Sequence, residues 1–254
     1  MKTICVIPVY NCAKQVVRVL EKLKDSNWQN FHSIWVIDNG SSDGTSQAAK
    51  EQIKKLEMTN AKVFQNSRNI NLGGTHKVAF REARQLGATH VLILHGDDQA
   101  EAKESENLLQ LSVSGGESTV LGSRFMKGSK LRGYNFGRIL GNRVLNLIYS
   151  MASGKWLTDL GSGLNLFALK DITDEEIASF GNSLSFNYEL ILLIVRNKRD
   201  FVYVPITWSE EDQVSNARNF NIFFKALSIL GLWLAHRDRD GLENSTKDIY
   251  LRVV

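Results

Sequence analysis

The chain has 254 residues, 43% of them hydrophobic and 23% charged, with a net charge of +4, which are ordinary values for a soluble globular protein. Its two cysteines, Cys5 and Cys12, argue against a disulfide framework and a cysteine metal site, so a reducing cytoplasm is the expected location. We expect neither a signal peptide nor a membrane span, because the N-terminal apolar run is short and Lys225 interrupts the apolar stretch 222–235.

The first half of the chain alternates short apolar runs with helical patterns. Strands are predicted at Thr3–Val9, 33–37, 62–65 and His90–Leu94, and helices at Ala13–Lys24, 45–58 and 74–86. This order predicts an α/β fold with a mainly parallel sheet and helices on both faces. Ligands of such sheets bind beyond the carboxyl ends of the strands. The polar clusters VYN, DNGSSDGT and HGDDQ fall at those ends, so we expect a nucleotide or a similar ligand there.

The second half is less regular. Strands are predicted at 119–122, 164–169 and 201–206, and helices at 138–152, 188–196 and 220–236. The sequence contains no internal repeat, low-complexity tract or linker. One domain with a C-terminal lobe is therefore the expected organisation.

Residues 118–158 form a basic segment that contains no Asp or Glu. Its basic residues are Arg124, Lys127, Lys130, Arg132, Arg138, Arg143 and Lys155. A segment of one charge sign suggests an anionic partner. Nucleic acid is not expected, because the segment lacks interleaved aromatic residues and a nucleic-acid motif. The phosphates of a donor or of a lipid carrier fit better, and a basic surface that only aids solubility is the alternative.

The acidic cluster HGDDQ, residues 95–99, follows an apolar strand and contains Asp97 and Asp98. Carboxylates at a strand end can hold Mg²⁺ or Mn²⁺, which keep open positions for phosphate oxygens. Such a cation would neutralise charge on a departing nucleoside diphosphate. The alternative is an acidic turn that caps the following helix.

Two further strand ends carry candidate ligand contacts. Asp38 ends the second strand and can accept a hydrogen bond from a base or a ribose. Pro8, Tyr10 and Asn11 form the turn after the first strand, the place that contacts the base and phosphates in nucleotide-binding sheets. Neither GxGxxG nor GxxxxGK[ST] occurs, which argues against a dinucleotide-dependent oxidoreductase and a P-loop protein.

Nine short motifs, spread from the first strand to Trp208, together match the pattern of a known family. They are VIPVYN, VIDNGSSDGT, NINLGG, LILHGDDQ, VLGSRF, GRILGNRVLN, TDLGSGLNLF, FNYELI and VPITW. In this order the chain resembles family 2 glycosyltransferases of the GT-A fold, particularly the branch of dolichyl-phosphate mannosyltransferase and related bacterial enzymes.

The resemblance implies a site for a nucleotide-sugar donor. Its implied contacts are Pro8, Tyr10, Asn11, Asp38, Asn71, Gly73, His95, Gly96, Asp97 and Asp98. The family's Asp-x-Asp motif falls on residues 95–97, so Asp97 is the implied ligand of Mg²⁺ or Mn²⁺, with Gln99 and His95 as further ligands. His95 replaces the usual first Asp of that motif.

The resemblance also implies an acceptor side. Arg124 and Arg138 match residues that hold a phosphate group, and Asp159 matches an Asp near the transferred sugar. Glu189 matches the general base of relatives with hydroxyl acceptors. With a phosphate acceptor no base is needed, and Glu189 would only bind sugar. A solvent-facing residue of an apolar helix is the alternative for Glu189.

Two features depart from the lipid-phosphate branch. The stretch after the last predicted strand is acidic where that branch has Arg, and Arg218, or Ser215 with Asn216, could replace that diphosphate contact. The C-terminal membrane helices of many relatives are also missing. Five residues of the helix 220–236 could instead form an interfacial membrane helix, or could pack on the core or in a dimer. They are Phe223, Phe224, Leu230, Leu232 and Trp233.

The expected function is that of an inverting glycosyltransferase. It would move a hexose or N-acetylhexosamine from a UDP- or GDP-sugar to a polyprenyl phosphate or a glycan, at the inner face of the cell membrane if the contact is peripheral. The single GT-A domain, 1–254, divides into a nucleotide-sugar-binding half, 1–117, an acceptor half, 118–237, and a tail, 238–254. A catalytically weak nucleotide-sugar-binding protein is the alternative. A sugar nucleotidyltransferase ranks last, because VIPVYNCAK has no glycine-rich loop.

Overall fold

The computed structural model describes residues 1–26, 28–116, 118–210, 219–235, 246, 249 and 251–254. Its first half contains β1 (Thr3–Val9), α1 (Ala13–Lys24), β2 (Ser33–Asp38), α2 (Thr45–Lys55), β3 (Ala61–Gln65), α3 (Asn71–Gln85) and β4 (His90–Leu94). Every element predicted for this half is confirmed, with shifts of one to three residues at the ends of β2, α2, β3 and α3.

After β4, the described residues contain the six predicted helices and strands and five others. The predicted ones are β5 (Thr119–Ser123), α5 (Phe136–Ser153), β7 (Leu164–Ala168), α7 (Phe186–Arg196), β8 (Phe201–Pro205) and α8 (Asn219–Leu234). The others are α4 (Ser105–Ser114), β6 (Lys130–Arg132), α6 (Asp174–Ala178), β9 (Thr207–Ser209) and β10 (Arg252–Val253). Four of these are too short to show a period, and α4 is rich in serine, which favours helix ends over interiors.

One sheet contains eight of the strands in the described residues, in the order β10-β3-β2-β1-β4-β7-β5-β8. β3, β2, β1 and β4 are parallel, β7 runs antiparallel to β4 and β5, and β8 is parallel to β5. The predicted α/β class with a mainly parallel sheet is confirmed. Strands from both predicted halves share this sheet. A separate ladder joins β6 to β9.

Apolar clusters cover both faces of the sheet, as predicted. On one face α1, α2 and α4 pack through side chains such as Val16 and Leu108. On the other, α3, α5, α7 and α8 pack through side chains such as Phe80 and Leu192. Burial on both faces explains why β1 and β4 are apolar at nearly every position rather than at alternate ones.

Among the described non-glycine residues, three on the carboxyl-end edge of the sheet have left-handed backbone. Asn11 follows β1 with φ 49°, Asn71 begins α3 with φ 60°, and Asp98 follows β4 with φ 62°. Asn and Asp tolerate this conformation better than most residues, but it still costs energy. Such conformations cluster where the backbone is shaped for ligands. This edge is therefore the place to look for a site.

The helix α8 packs on the core. Leu230 is buried, and Phe223 and Trp233 pack against the core cluster, whereas Phe224 is 65% exposed. Packing, rather than an interfacial membrane helix, thus accounts for three of the five residues considered. In the described ranges no helix has the length and apolarity that a bilayer crossing requires. Arg218, Ser215 and Asn216 lie outside the described residues.

Candidate functional site

A cavity of about 720 Å³ opens at the carboxyl ends of β1 and β4. Seven of the ten predicted donor contacts line this first cavity, and the remaining three do not. The seven are Pro8, Tyr10, Asn11, Asn71, His95, Gly96 and Asp97. The predicted convergence of the strand ends on one ligand-sized space is therefore present.

Two interlocked loops build one wall of the first cavity. The Asn11 side-chain oxygen accepts a hydrogen bond from the Ser42 backbone N–H at 2.9 Å. In return, the Thr45 hydroxyl accepts from the Cys12 N–H at 2.9 Å. The polar turn after β2 thus braces the turn after β1, which explains why a stretch rich in Ser, Asp and Gly follows the second strand.

Asp38, a predicted nucleoside contact, does not line the cavity. Its side chain is buried, and one carboxylate oxygen accepts from the Ser41 N–H at 2.9 Å and the Ser41 hydroxyl at 2.5 Å. The other oxygen accepts from the Ser46 hydroxyl. Asp38 therefore holds the turn that supports the wall, and its acceptor atoms are already engaged.

The adjacent Asn39 lines the cavity and was missed. Its oxygen accepts from the Ile70 N–H and from Asn66 Nδ2, both at 3.0 Å, and its amide donates to Asn69 at 2.9 Å. Asn39 directly follows the end of β2, and it lines the cavity where Asp38 does not. Lys225 of α8, also missed, brings a positive charge to the same cavity.

Gly73 has a packing role in the structure, and its predicted contact with the donor stays a prediction. Its N–H donates to the Asn182 carbonyl at 2.7 Å, and a Cβ there would stand 2.6 Å from the Phe186 Cβ. No side chain fits at that separation. Glycine at this position lets the start of α3 approach the start of α7.

The two adjacent aspartates of HGDDQ point to different places. Asp98 pairs with Arg18 at 2.6 Å and with Lys22 at 2.7 Å, both on α1, and does not line the first cavity. The left-handed backbone at Asp98 turns its carboxylate to α1, whereas Asp97 lines the cavity. Asp98 therefore has an ion-pair role in the structure, and its contact with the donor stays a prediction.

A second cavity of about 700 Å³ adjoins the first and is the acceptor-side candidate. The residues that line both are Leu72, His95, Asp97, Leu184 and Ile222. The far side of the second cavity is formed by Arg124, Tyr134, Arg138, Tyr188 and Trp208. Asp97 thus stands at the junction of the two spaces, where a group bound in one would face a group bound in the other.

Burial dominates the electrostatics of the junction. It raises the pKa of Asp97, and the nearby His95 opposes that effect. It lowers the pKa of His95, while the negative charge of Asp97 opposes that shift. The His95 ring lies against Gly163, where a Cβ would come within 2.7 Å of its Nδ1.

The predicted metal ligands are Asp97, His95 and Gln99. Across the described part of the chain, no cluster of three or more His, Cys, Asp or Glu side chains is arranged to hold a metal ion. One carboxylate with an amide and an imidazole is a small ligand set. Mg²⁺ is commonly held by one or two carboxylates together with substrate phosphates. These residues therefore fit a cation that binds together with a diphosphate better than a permanently resident ion.

Arg124 and Asp159, predicted as separate ligand contacts, form a buried ion pair. The Asp159 carboxylate accepts from Arg124 Nε at 2.7 Å, from Nη2 at 2.8 Å and from the Arg124 backbone N–H at 2.9 Å. It also accepts from the Gly161 N–H at 2.9 Å. Asp159 lines neither cavity, whereas its partner Arg124 lines the second cavity. The structure therefore shows Asp159 holding Arg124 in place, and its position near the transferred sugar stays a prediction.

Arg138 lines the second cavity and is held by Glu210. Its Nη1 donates to Glu210 Oε2 at 2.5 Å, and Glu210 Oε1 accepts from Gln99 Nε2 at 3.4 Å. The backbone joins the same elements, because the Ser209 N–H donates to the Gln99 carbonyl at 2.8 Å. The turn with Asp97 and the wall with Arg138 are therefore physically linked.

Glu189 lines neither cavity. It is 7% exposed, and its carboxylate accepts from the Gly181 N–H at 2.9 Å. Burial lowers the pKa of the nearby Lys77 to about 8, and the charge of Glu189 opposes that shift. Neither the predicted general base nor the solvent-facing alternative matches this position. Glu189 instead stabilises the loop before α7.

Three buried side chains of the second cavity have polar atoms without a hydrogen-bond partner among the described residues. The unpaired atoms are Nδ1 and Nε2 of His76, Oδ1 of Asn187 and Nε1 of Trp208. Burial and the nearby His95 lower the pKa of His76 to about 3, so its ring is neutral at physiological pH. Unpaired buried polar atoms are rare and call for a ligand or a water. None of the three was predicted from the sequence.

Comparison with known sequences identifies relatives of this chain. The family model described as glycosyl transferase family 2 matches residues 4–173. The chain is 25% identical over 242 residues to the UDP-N-acetylglucosamine–dolichyl-phosphate N-acetylglucosaminyltransferase of Methanococcus voltae, covering 88% of this chain and 94% of that protein. It is 22% identical to the polyprenol monophosphomannose synthase of Mycolicibacterium smegmatis, covering 83% of this chain and 78% of that protein.

Solved structures share the fold. Glucosyl-3-phosphoglycerate synthase of Mycobacterium tuberculosis, in complex with Mn²⁺, UDP and phosphoglyceric acid, matches 100% of this chain and 86% of its own with a TM-score of 0.64 and 13% identity. S. aureus TarS with UDP-GlcNAc matches 96% of this chain and 69% of its own with a TM-score of 0.61 and 17% identity. The predicted GT-A architecture is confirmed.

Proposed function

Because the chain belongs to glycosyl transferase family 2, we propose that it transfers a hexose or N-acetylhexosamine from a UDP- or GDP-sugar to a polyprenyl phosphate, with inversion at the anomeric carbon. The enzyme is a glycosyltransferase, and the proposal concerns its substrates and mechanism. The observation that carries the proposal is Asp97 at the junction of a nucleotide-sized cavity and a basic one.

The first cavity would hold the donor. Tyr10, Asn39 and Asn71 offer an aromatic face and amide groups for the nucleoside, and Lys225 offers a positive charge for the diphosphate. Asp97, with Gln99 and His95, would hold Mg²⁺ or Mn²⁺. When bound, such a cation supplies neutralising charge for the leaving diphosphate. Further positive charge for the leaving diphosphate would come from protein side chains such as Lys225.

The second cavity favours an acceptor that is already an anion. Of the described residues that line it, those with a carboxylate are Asp97 and Glu210, and Glu210 is paired with Arg138. A hydroxyl acceptor would need a base to take its proton, whereas a phosphate oxygen needs none. Arg124 and Arg138 can orient that phosphate. Its oxygen would bond to the anomeric carbon from the side opposite the diphosphate, which leaves with the electron pair of the broken bond.

The unpartnered atoms of the second cavity support a hydroxyl-rich ligand. Asn187 Oδ1 can only accept, Trp208 Nε1 can only donate, and the neutral His76 ring offers one donor and one acceptor. Phosphate oxygens cannot pair with the acceptor, whereas sugar hydroxyls can both donate and accept. These atoms have almost no exposed surface, so pairing with a ligand in the cavity requires a shift of their side chains. We infer that the transferred sugar binds against these side chains while the phosphate of the acceptor meets the arginines.

A transfer assay tests the proposal. Purified protein with Mn²⁺ is given UDP-N-acetylglucosamine, UDP-glucose or GDP-mannose, and a polyprenyl phosphate or the matching unphosphorylated polyprenol. We expect one donor to give product with the phosphate only, and no product after chelation of the metal. Equal transfer to the polyprenol would contradict the anionic acceptor. Donor binding without turnover under all these conditions would favour the weak binding protein instead.

The substitution Gly163→Ala tests the position of His95. Its Cβ would collide with the His95 ring, so the ring must move while its chemistry is kept. Disturbing a residue that orients a metal ligand commonly costs about 10- to 100-fold in activity, and we expect a loss of kcat/KM of that size. Gly231→Ala is the control, because a Cβ there meets nothing within 4 Å. Unchanged kinetics in Gly163→Ala would show that the position of His95 does not matter for the proposed reaction.

A further inference from the structure

The helix α5 has an outward face of large apolar side chains. Their exposed fractions are 77% for Phe136, 54% for Leu140, 41% for Val144, 47% for Leu147 and 69% for Met151. Since successive residues of a helix are rotated by about 100°, these five lie within an arc of about 80°. They form one continuous stripe along the helix, which we call the apolar stripe. A contiguous apolar patch on a protein surface marks a contact with a partner or a membrane.

The opposite side of α5 already has its packing partners. Leu145 and Tyr149 are buried there, and the Tyr149 hydroxyl donates to the Ala226 carbonyl of α8 at 2.7 Å. The apolar stripe is therefore not part of the core contact of this helix. Trp156, just after the helix, is also 71% exposed.

The segment that contains the apolar stripe is basic. Within the basic segment 118–158, which contains no acidic residue, the exposed basic side chains are Lys127, Lys130, Arg132, Arg143 and Lys155. A helix with an apolar face and basic neighbours is typical of proteins that lie on anionic lipid surfaces.

The same helix reaches the acceptor side of the site. Arg138, Gly141 and Asn142 of α5 line the second cavity. We propose that the apolar stripe rests on an anionic phospholipid surface and so places the mouth of the second cavity at the level of the lipid phosphates. The benefit for catalysis rests on the proposed function, because a polyprenyl phosphate could then reach Arg138 with its chain still in the bilayer. The membrane contact itself stands on the stripe and its charges.

A second copy of the chain is a poorer occupant of this face. A two-fold symmetric interface places the same patch of both copies together. Two basic segments without acidic residues would then face each other, and like charges oppose association. An anionic membrane complements both the apolar stripe and its charges.

Vesicle co-sedimentation tests the contact. The full chain is mixed with vesicles of phosphatidylcholine alone or with added phosphatidylglycerol. We expect binding to the anionic vesicles, weaker binding at high salt, and a loss of about tenfold or more in L140E/M151E, since two apolar side chains are lost from the interface. The matched control is L111E/V113E, which changes two exposed apolar side chains of α4, 40% and 60% exposed, on the other face of the sheet.

Two further measurements separate the possible outcomes. Transfer to a short-chain, water-soluble isoprenyl phosphate should be unchanged in L140E/M151E, while transfer to polyprenyl phosphate in vesicles should fall with binding. Vesicle binding without any transfer would leave the membrane contact standing and the proposed function in doubt. Absence of vesicle binding by the natural chain, equal losses in both double variants, or a dimer that L140E/M151E converts to monomers would overturn the inference.

Discussion

Asp97→Asn will lower kcat/KM for sugar transfer by about three orders of magnitude while the protein stays folded. Asparagine keeps the size of the side chain and removes its charge, so the loss measures the cation-binding role. Charge stabilisation by a bound metal contributes several kcal/mol, and about 4 kcal/mol corresponds to about 10³-fold in rate. The measurement is steady-state transfer at a saturating Mn²⁺ concentration, with circular dichroism to confirm the fold.

The neighbouring aspartate supplies the control. Asp98→Asn makes the same chemical change one residue away, but Asp98 pairs with Arg18 and Lys22 of α1 and does not line the first cavity. We expect this variant to keep kcat/KM within a few-fold of the natural enzyme and to bind Mn²⁺ and donor normally. The opposite result, an active Asp97→Asn and an inactive Asp98→Asn, would show that Asp98 rather than Asp97 binds the cation.

Asp159→Asn will lower the free energy of unfolding by about 3–5 kcal/mol, the usual result of removing one partner of a buried ion pair. Arg124 and Asp159 have side-chain exposures of 6% and 1%, so the guanidinium would keep its charge in a dry environment without a counter-charge. The carboxylate also accepts two backbone N–H groups, which an amide can satisfy only in part. Chemical denaturation followed by tryptophan fluorescence gives the value.

An exposed pair provides the comparison for that stability loss. Arg84 and Asp174 also form an ion pair, but their side chains are 34% and 39% exposed. Exposed pairs contribute at most about 1 kcal/mol, so Asp174→Asn should change stability by no more than that. Similar losses in both variants would show that the Arg124–Asp159 pair is solvated in solution. The transfer assay on Asp159→Asn tests whether Arg124 needs this partner for activity.

The sequence predicts the fold well because the signals are local. Strands buried on both faces are continuous apolar runs, and the helices between them show their own period, as in β1, α1 and β4. Short elements such as β6 and β9 carry no period, and their pairing depends on residues far apart in the chain. Nothing local could predict them.

The site residues also divide into those that the local sequence predicts and those that only the tertiary fold reveals. The position of Asp97 follows from the strand before it and from the motif, and the structure brings it to the cavity. Asp159 and Arg124 are 35 residues apart, and only the tertiary fold shows that they neutralise each other. Glu189 and Asp38 are turned away by the orientation of their own elements, which a motif does not encode. The apolar stripe of α5 also escapes prediction, because an apolar residue in sequence does not show which side of its helix the sheet covers.

The contact between the turn after β4 and the strand β9 has a thermodynamic consequence. Gln99 is joined to Ser209 through the backbone and to Glu210 through its side chain. A ligand that orders the turn after β4 therefore also orders the wall of the second cavity that contains Trp208 and Arg138. Linkage requires the effect to be mutual: if an occupied donor site tightens the hold on the acceptor by some factor, the acceptor must tighten the hold on the donor by that same factor. A single short strand would thus make the two substrates cooperative.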